Sequence, residues 1–362
     1  MRIGDYLVGW GVPVGDRSGR LGRSAGVVAR IHDPMAVETI RIWFDRSITG
    51  VEIPDDVELV DSPHEADGVV VGSHETWDGE ACSRYPRLKV VARSGVGYDN
   101  LVLDECAEHG VACCNAPDAP TVSTAEHALA LILAVAKNLK WNARRLRDGG
   151  EGYIASNQGI ELAGLTLGLV GGGRIGGRVG RYAKALGMRV VIHDPFLAES
   201  VVGELVDLDE LWAQSDVVSL HAPATGATRH IVDEVALAAM KPGVVIVNCA
   251  RGSLVDQDAL LAALDSGQVF GAGLDVTEPE PLPPGHPLLD RDDVIVTPHI
   301  ASSTTVGRIR LMAHGLEQAA IWLRGGRPEH LLNPEVLDPA LDRRRQDRGP
   351  GPDPLVSREE GP

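Results

Sequence analysis

This chain lacks a disulfide or metal framework, an apolar leader, a membrane-length hydrophobic run and any excess of positive charge, and each absence excludes a class of function. Cys82, Cys106, Cys113, Cys114 and Cys249 form neither the paired pattern of a small secreted domain nor the spacing of a metal site. No apolar signal core follows Met1-Arg2-Ile3-Gly4-Asp5, so a reducing cytoplasm is the expected compartment. The longest apolar run, Ala128 to Ala136, is too short to cross a bilayer and reads as part of a helix. Lys and Arg number 34 against 51 Asp and Glu, a net charge of −17. Basic residues are scattered apart from Arg343-Arg344-Arg345, so neither nucleic acid nor an anionic membrane is an expected partner. An anionic ligand must instead be held by a local cluster of positive charge and N–H groups, because the overall field repels it.

What is present describes an ordinary globular chain: 362 residues, 44% hydrophobic and 23% charged. That length exceeds what one hydrophobic core usually supports, so two domains are expected. Runs rich in β-branched residues alternate with helical patterns, which predicts an α/β protein built on parallel sheets. In the first half the expected strands are 39–44, 57–60, 68–71, 89–92 and 111–113; in the second they are 165–170, 189–192, 217–220, 244–248, 273–275 and 294–296. Ser123 and Glu126 satisfy a Ser-x-x-Glu capping box, predicting the head of a connecting helix that reaches about Leu146. Residues 1–35 are glycine-rich with weak periodicity and read as an extension, while 338–362 are too polar and Pro/Gly-rich to bury a core and are expected to be disordered.

Gly171-Gly172-Gly173-Arg174-Ile175-Gly176 follows the apolar run 165–170 and precedes a helical pattern. This strand, turn and helix order can hold a dinucleotide pyrophosphate on backbone N–H groups, with Gly171 allowing the turn and Gly173 allowing close approach. Asp194 stands 18 residues beyond Gly176, near the spacing of a carboxylate that binds the adenosine ribose. A carboxylate there repels a 2′-phosphate, so NAD(H) is expected over NADP.

Downstream, Arg251 follows the buried-looking run 244–248, where an open parallel sheet places its ligands. Its planar fork can grip a carboxylate and an adjacent ketone oxygen in a way that a lysine cannot. His299 follows Thr297-Pro298, whose proline restricts the backbone, and an imidazole that titrates near neutrality suits proton exchange with an alkoxide. His127, His230 and Cys249 read as a helix histidine, a surface histidine and a small buried residue.

The chain resembles the D-isomer-specific 2-hydroxyacid dehydrogenase family over roughly Thr39 to Leu337. The resemblance is carried by Arg93-Ser94-Gly95-Val96-Gly97-Tyr98-Asp99-Asn100, Gly171 to Gly176, Met240-Lys241-Pro242-Gly243, Val247 to Asp256, Gly273-Leu274-Asp275-Val276 and Thr297-Pro298-His299. It implies two doubly wound parallel-sheet domains: a Rossmann NAD-binding domain, 118–303, inserted in a flavodoxin-like substrate domain made of 36–117 and 304–337. It assigns Arg251 to substrate binding and carbonyl polarisation, His299 to proton transfer, and Glu280 to orienting that imidazole. Glu278 competes for the last role in Glu278-Pro279-Glu280-Pro281; Glu280 is favoured because it stands five residues after Asp275, the family's register. The resemblance also implies that Gly171, Gly173, Arg174, Ile175, Gly176, Asp194, His221, Pro223, Cys249 and Asp275 contact NAD(H), and that Ser94, Gly95, Val96 and Gly97 receive the substrate carboxylate.

Phosphoglycerate-active relatives carry basic residues just after the third strand, where this chain has Gly72-Ser73-His74-Glu75-Thr76. The segment from Glu278 to Leu289 and Arg327-Pro328-Glu329 resemble glyoxylate and hydroxypyruvate reductases, although Tyr153 stands where such relatives often have a tryptophan. A glyoxylate or hydroxypyruvate reductase is therefore expected, with D-3-phosphoglycerate dehydrogenase as the alternative and a non-enzymatic NAD(H)-sensing scaffold as a reading from a different class. The partners implied are a small anionic 2-oxo or 2-hydroxy acid and a second copy of the chain, joined through the cofactor domains.

Overall fold

The computed structural model describes residues 39–338. The expectations for residues 1–35 and 339–362 lie outside the described residues. The first sheet contains β1 (Ile40–Phe44), β2 (Val57–Leu59), β3 (Gly68–Val71), β4 (Val90–Arg93) and β5 (Ala112–Cys114). These strands are parallel in the order β2-β1-β3-β4-β5. The second contains β6 (Thr166–Val170), β7 (Arg189–His193), β8 (Glu204–Leu205), β9 (Val217–Leu220), β10 (Val244–Asn248), β11 (Val269–Leu274) and β12 (Val294–Val296). It is parallel throughout in the order β12-β11-β10-β9-β6-β7-β8. The two parallel sheets are those expected from the alternating pattern. Strands β6, β9 and β10 are buried at every position, which is why they read as continuous apolar runs rather than as alternation.

Each sheet is covered on both faces. The helix Thr305–Leu323 returns to the first sheet, placing Leu311, Leu316, Ala319 and Ala320 against Ile42, Val70, Val90 and Ala92. On the second, the helix Thr121–Ala136 buries Leu131, Ile132 and Val135 beside β10 and β11. Burial of such side chains contributes about 2 kcal/mol each. Gly273 permits the close approach: a Cβ there would lie 2.8 Å from the Leu131 Cβ.

The structure differs from the local expectations at four points. β8, a two-residue edge strand, carries no periodic signal and was not expected. β11 begins at Val269, earlier than the expected 273, because Gly271 and Gly273 dilute its apolar pattern. Ser123 does not cap the connecting helix, which starts at Thr121 after Pro120; Ser123 is already inside it and its hydroxyl meets Thr304 Oγ1 at 2.8 Å. Glu126 is exposed and makes no cap. The helix also ends at Ala136 rather than near Leu146: Asn138 adopts φ 51°, which Asn tolerates better than most residues, and a second helix runs Leu139–Arg147. That break lets Lys140 Nζ donate to the carbonyls of Arg291 and Val294 at 2.6 and 2.8 Å.

Candidate active site

Every candidate side chain follows the carboxyl end of a strand, because parallel strands direct all their exits to one edge. β4 leads into Ser94-Gly95-Val96-Gly97, β6 into the glycine turn, β9 into His221, β10 into Cys249 and Arg251, β11 into Asp275, and β12 into Thr297-Pro298-His299. These segments surround one cleft of about 500 Å³, a size that suits a small-molecule site. Ser94 to Gly97, Gly173, Arg174, Ile175, Gly176, His221, Pro223, Cys249, Arg251, Asp275 and His299 line it. Gly171, Asp194 and Glu280 are not among its lining residues. Among the described residues no group of His, Cys, Asp and Glu side chains is arranged to hold a metal ion.

The glycines of the turn are required for different reasons. Gly171 has φ 96° and packs against the His221 backbone. A Cβ on Gly176 would overlap the Gly171 carbonyl, whereas a Cβ on Gly173 would meet no protein atom within 4 Å and would project where the cleft opens. Packing within the protein therefore does not account for a glycine at 173. Behind the turn, Asp194 accepts from the N–H of Gly172 at 2.9 Å and of Phe196 at 3.0 Å.

His299 has φ 52°, a left-handed conformation that must be held in place. Its N–H donates to the Asp275 carbonyl at 2.7 Å. The buried Asp275 carboxylate accepts from Ile300 N–H and Ala301 N–H, each at 2.9 Å, and from the Thr297 hydroxyl at 2.6 Å. Burial pushes the Asp275 carboxyl up, but these hydrogen bonds, with His127, outweigh it and leave it below the ordinary carboxylate range. Glu280 Oε1 lies 2.6 Å from His299 Nδ1. Glu278 is turned away, with its two oxygens on Arg229 at 3.0 and 3.2 Å and His230 beside it at 3.6 Å. Of the two glutamates, only Glu280 touches the imidazole.

Arg251 carries an ion pair to Asp99 at 3.2 Å, and its Nη1 donates to the Ala250 carbonyl at 2.8 Å. In the loop after β4 a Cβ on Gly95 would meet the Arg93 guanidinium and one on Gly97 that of Arg251, so either methyl group would displace a guanidinium. Burial first, then the nearby Arg251 and Arg46, lower the Arg93 pKa to about 10. His221 Nε2 lies 2.9 Å from Ser219 Oγ, and burial lowers its pKa to about 4, so the ring is neutral at physiological pH. Burial, then the charge of Asp275, push the Cys249 thiol up, which removes it as a nucleophile.

Residues 129–301 match the family described as D-isomer specific 2-hydroxyacid dehydrogenase, NAD binding domain. The chain is 38% identical to a glyoxylate reductase of Korarchaeum cryptofilum over 287 residues, 77% of this chain and 86% of that protein. The family is thereby settled. The chain belongs to the D-isomer specific 2-hydroxyacid dehydrogenases. It is also 39% identical over 311 residues to D-3-phosphoglycerate dehydrogenase of Methanocaldococcus jannaschii, covering 84% of this chain but only 59% of that protein. It thus spans between 49% and 59% of the length of the phosphoglycerate dehydrogenases it matches. Its fold is similar to the crystal structure of D-lactate dehydrogenase from Aquifex aeolicus complexed with NAD and lactic acid, with a TM-score of 0.68, 30% identity, and coverage of 79% of this chain and 96% of that one.

Within this member of the family, several groups around the cleft escape a reading by motif. Arg93 lies at the end of β4 and lines the cleft; the strand-end logic applied to Arg251 would have found it. His127, read as a helix histidine, places Nε2 3.0 Å from Thr297 Oγ1 and 3.4 Å from Asp275 Oδ1, behind the His299 loop. Tyr153 does not line the cleft; the Arg145 guanidinium lies between it and Trp141, 4.4 Å from the Trp141 ring centre and 5.7 Å from that of Tyr153.

Proposed function

We propose that this chain is an NAD-dependent D-2-hydroxyacid dehydrogenase that interconverts a small 2-oxo acid and its D-2-hydroxy acid. The observation that carries the reading is that Arg251 and the Glu280-supported His299 share one cleft with the glycine turn. The substrate domain is assigned to 36–117 with 304–337, and the NAD-binding domain to 118–303.

The open space at Gly173 and the N–H groups at the start of the helix Arg174–Ala185 fit a pyrophosphate, and Asp194 fits a ribose. His221, Pro223, Cys249 and Asp275 line the same cleft and would contact the cofactor there. NAD(H), when bound, supplies the hydride acceptor or donor. Arg251 binds the substrate carboxylate and polarises its ketone, assisted by the N–H groups of Val96 and Gly97; those of Ser94 and Gly95, expected to join them, donate instead to the Val71 and Arg93 carbonyls at 2.8 and 2.9 Å. His299 holds the proton that the substrate oxygen takes up in reduction or gives up in oxidation. With Nδ1 bound to Glu280, that proton sits on Nε2. Glu280 fixes the orientation of the ring through its contact with Nδ1.

The resemblance of the segment from Glu278 to Leu289 favours glyoxylate or hydroxypyruvate as substrate. A second reading, D-3-phosphoglycerate, is favoured by Arg93: this buried guanidinium supplies the cleft with a second positive charge that the Gly72 to Thr76 segment lacks. Assays of glyoxylate and hydroxypyruvate with NADH, and of D-3-phosphoglycerate with NAD, decide between them. Arg93→Met should impair only the phosphorylated substrate. NADH binding without turnover of any of them overturns the enzyme reading in favour of a sensing scaffold. We further propose a cytoplasmic homodimer, formed over the exposed Leu139, Leu146 and Ile154; among the described residues no helix is long and apolar enough to cross a membrane. Light scattering of the purified chain tests the dimer.

A further inference from the structure

The guanidinium of Arg251 is bound on one edge before any ligand arrives. Its Nε lies 3.2 Å from both carboxylate oxygens of Asp99 and its Nη2 lies 3.2 Å from Oδ1, while Nη1 donates to the Ala250 carbonyl. An arginine has five N–H donors. Asp99 and Ala250 occupy three nitrogens' worth of direction and leave one hydrogen on each Nη free. Gly97 lies beside the same group, where a Cβ would meet Nη2. The plane of the guanidinium is therefore set from outside its own strand, by a loop 152 residues away that follows β4 of the other sheet.

Stability does not explain the pair. Asp99 is 55% exposed and Arg251 22% exposed in their side chains, and ion pairs of that kind contribute only about 0–1 kcal/mol. Orientation does explain it: a long, flexible side chain loses less rotamer entropy on binding when it is already held. Burial pushes the Asp99 carboxyl up, but the charge and hydrogen bonds of Arg251, helped by Arg93, outweigh it and leave it below the ordinary carboxylate range. Asp99 is thus ionised at neutral pH. Arg93 also faces it, so the group of two guanidinium ions and one carboxylate keeps a net positive charge for an anion.

We propose that Asp99 is a positioning residue: it holds Arg251 in the plane that presents its two free Nη hydrogens to the substrate carboxylate. The role rests on the function proposed above. It also makes Arg251's geometry depend on the docking of the β4 loop against the β10 loop.

The test is steady-state reduction of glyoxylate and hydroxypyruvate at saturating NADH by the full chain, wild type and Asp99→Asn, alone and combined with Arg251→Lys. Asp99→Asn should raise KM for the 2-oxo acid roughly tenfold, with kcat much less affected and the NADH dissociation constant and Tm unchanged. In the Arg251→Lys background the same change should have almost no further effect, because the fork it positions is gone. An unchanged or lowered KM, or losses that multiply in the double variant, overturns the proposal; a lowered KM would mark Asp99 as a competitor for Arg251. Should the wild-type chain reduce neither acid nor any other 2-oxo acid, the proposed function fails, and the pairing is then read without substrate. Butanedione labelling of Arg251, followed by peptide mass spectrometry, should run about threefold faster in Asp99→Asn, the size an exposed ion pair permits. Equal labelling rates overturn the proposal independently of activity.

Discussion

The Oε1 of Glu280 lies 2.6 Å from Nδ1 of His299, while Glu278, two residues earlier on the same proline-rich loop, is committed to Arg229. Two neighbouring carboxylates of one residue type are thereby given different surroundings. Replacing Glu280 with Gln should lower kcat roughly a hundredfold, since the imidazole loses the carboxylate that orients it. Glu278→Gln removes a largely exposed ion pair and should leave kcat within about threefold. Equal losses in the two variants, measured with the same 2-oxo acid, would remove the distinction.

His299→Ala should lower turnover roughly 10²- to 10⁴-fold while NADH affinity stays near wild type. Arg251→Lys keeps the charge but not the fork, and should raise KM for the 2-oxo acid strongly. Near-normal turnover in the first, or a mild effect in the second, assigns proton transfer or carboxylate binding elsewhere.

The glycine turn separates folding from binding. Gly173→Ala adds a methyl group that meets no protein atom within 4 Å, so Tm should hold while NADH affinity falls. Gly176→Ala drives a Cβ into the Gly171 carbonyl and should cost about 1–3 kcal/mol of stability as well. Calorimetry of both variants with and without NADH checks this; intact NADH binding in Gly173→Ala would place the dinucleotide elsewhere.

Asp194→Ser keeps an acceptor for the Gly172 N–H but removes the negative charge. The ratio of kcat/KM for NADPH over NADH should rise roughly tenfold or more. An unchanged ratio means that Asp194 only stabilises the turn.

His221 carries a pH dependence of stability. Its folded pKa of about 4 lies below the ~6.5 of an unfolded histidine, so between those values the unfolded chain binds the extra proton. Its contribution is fully present above pH ~6.5 and is lost as pH falls toward 4. Thermal melts of the apo protein across this range should show a shallower fall in Tm for His221→Asn than for wild type. Parallel curves would mean that the ring is solvated.

Much of this protein is written in short stretches of its sequence. The β-branched runs, the Gly171 to Gly176 turn and the strand ends at Arg251 and Asp275 are local signals, because strand burial, positive φ at Gly171 and the exit edge of a parallel sheet depend on residues close in the chain. The reading failed where a local signal met a distant partner. Ser123 has the sequence of a cap, yet Pro120 starts the helix earlier and Thr304 takes the Ser123 hydroxyl. The hand-off between Glu278 and Glu280 is decided by Arg229 and His299 from other segments, the plane of Arg251 by Asp99, and the second cation in the cleft by the packing that buries Arg93. Hydrogen bonds and ion pairs act over about 3 Å whatever the sequence separation. Only the folded chain, which brings the β4 loop to the β10 loop, could decide them.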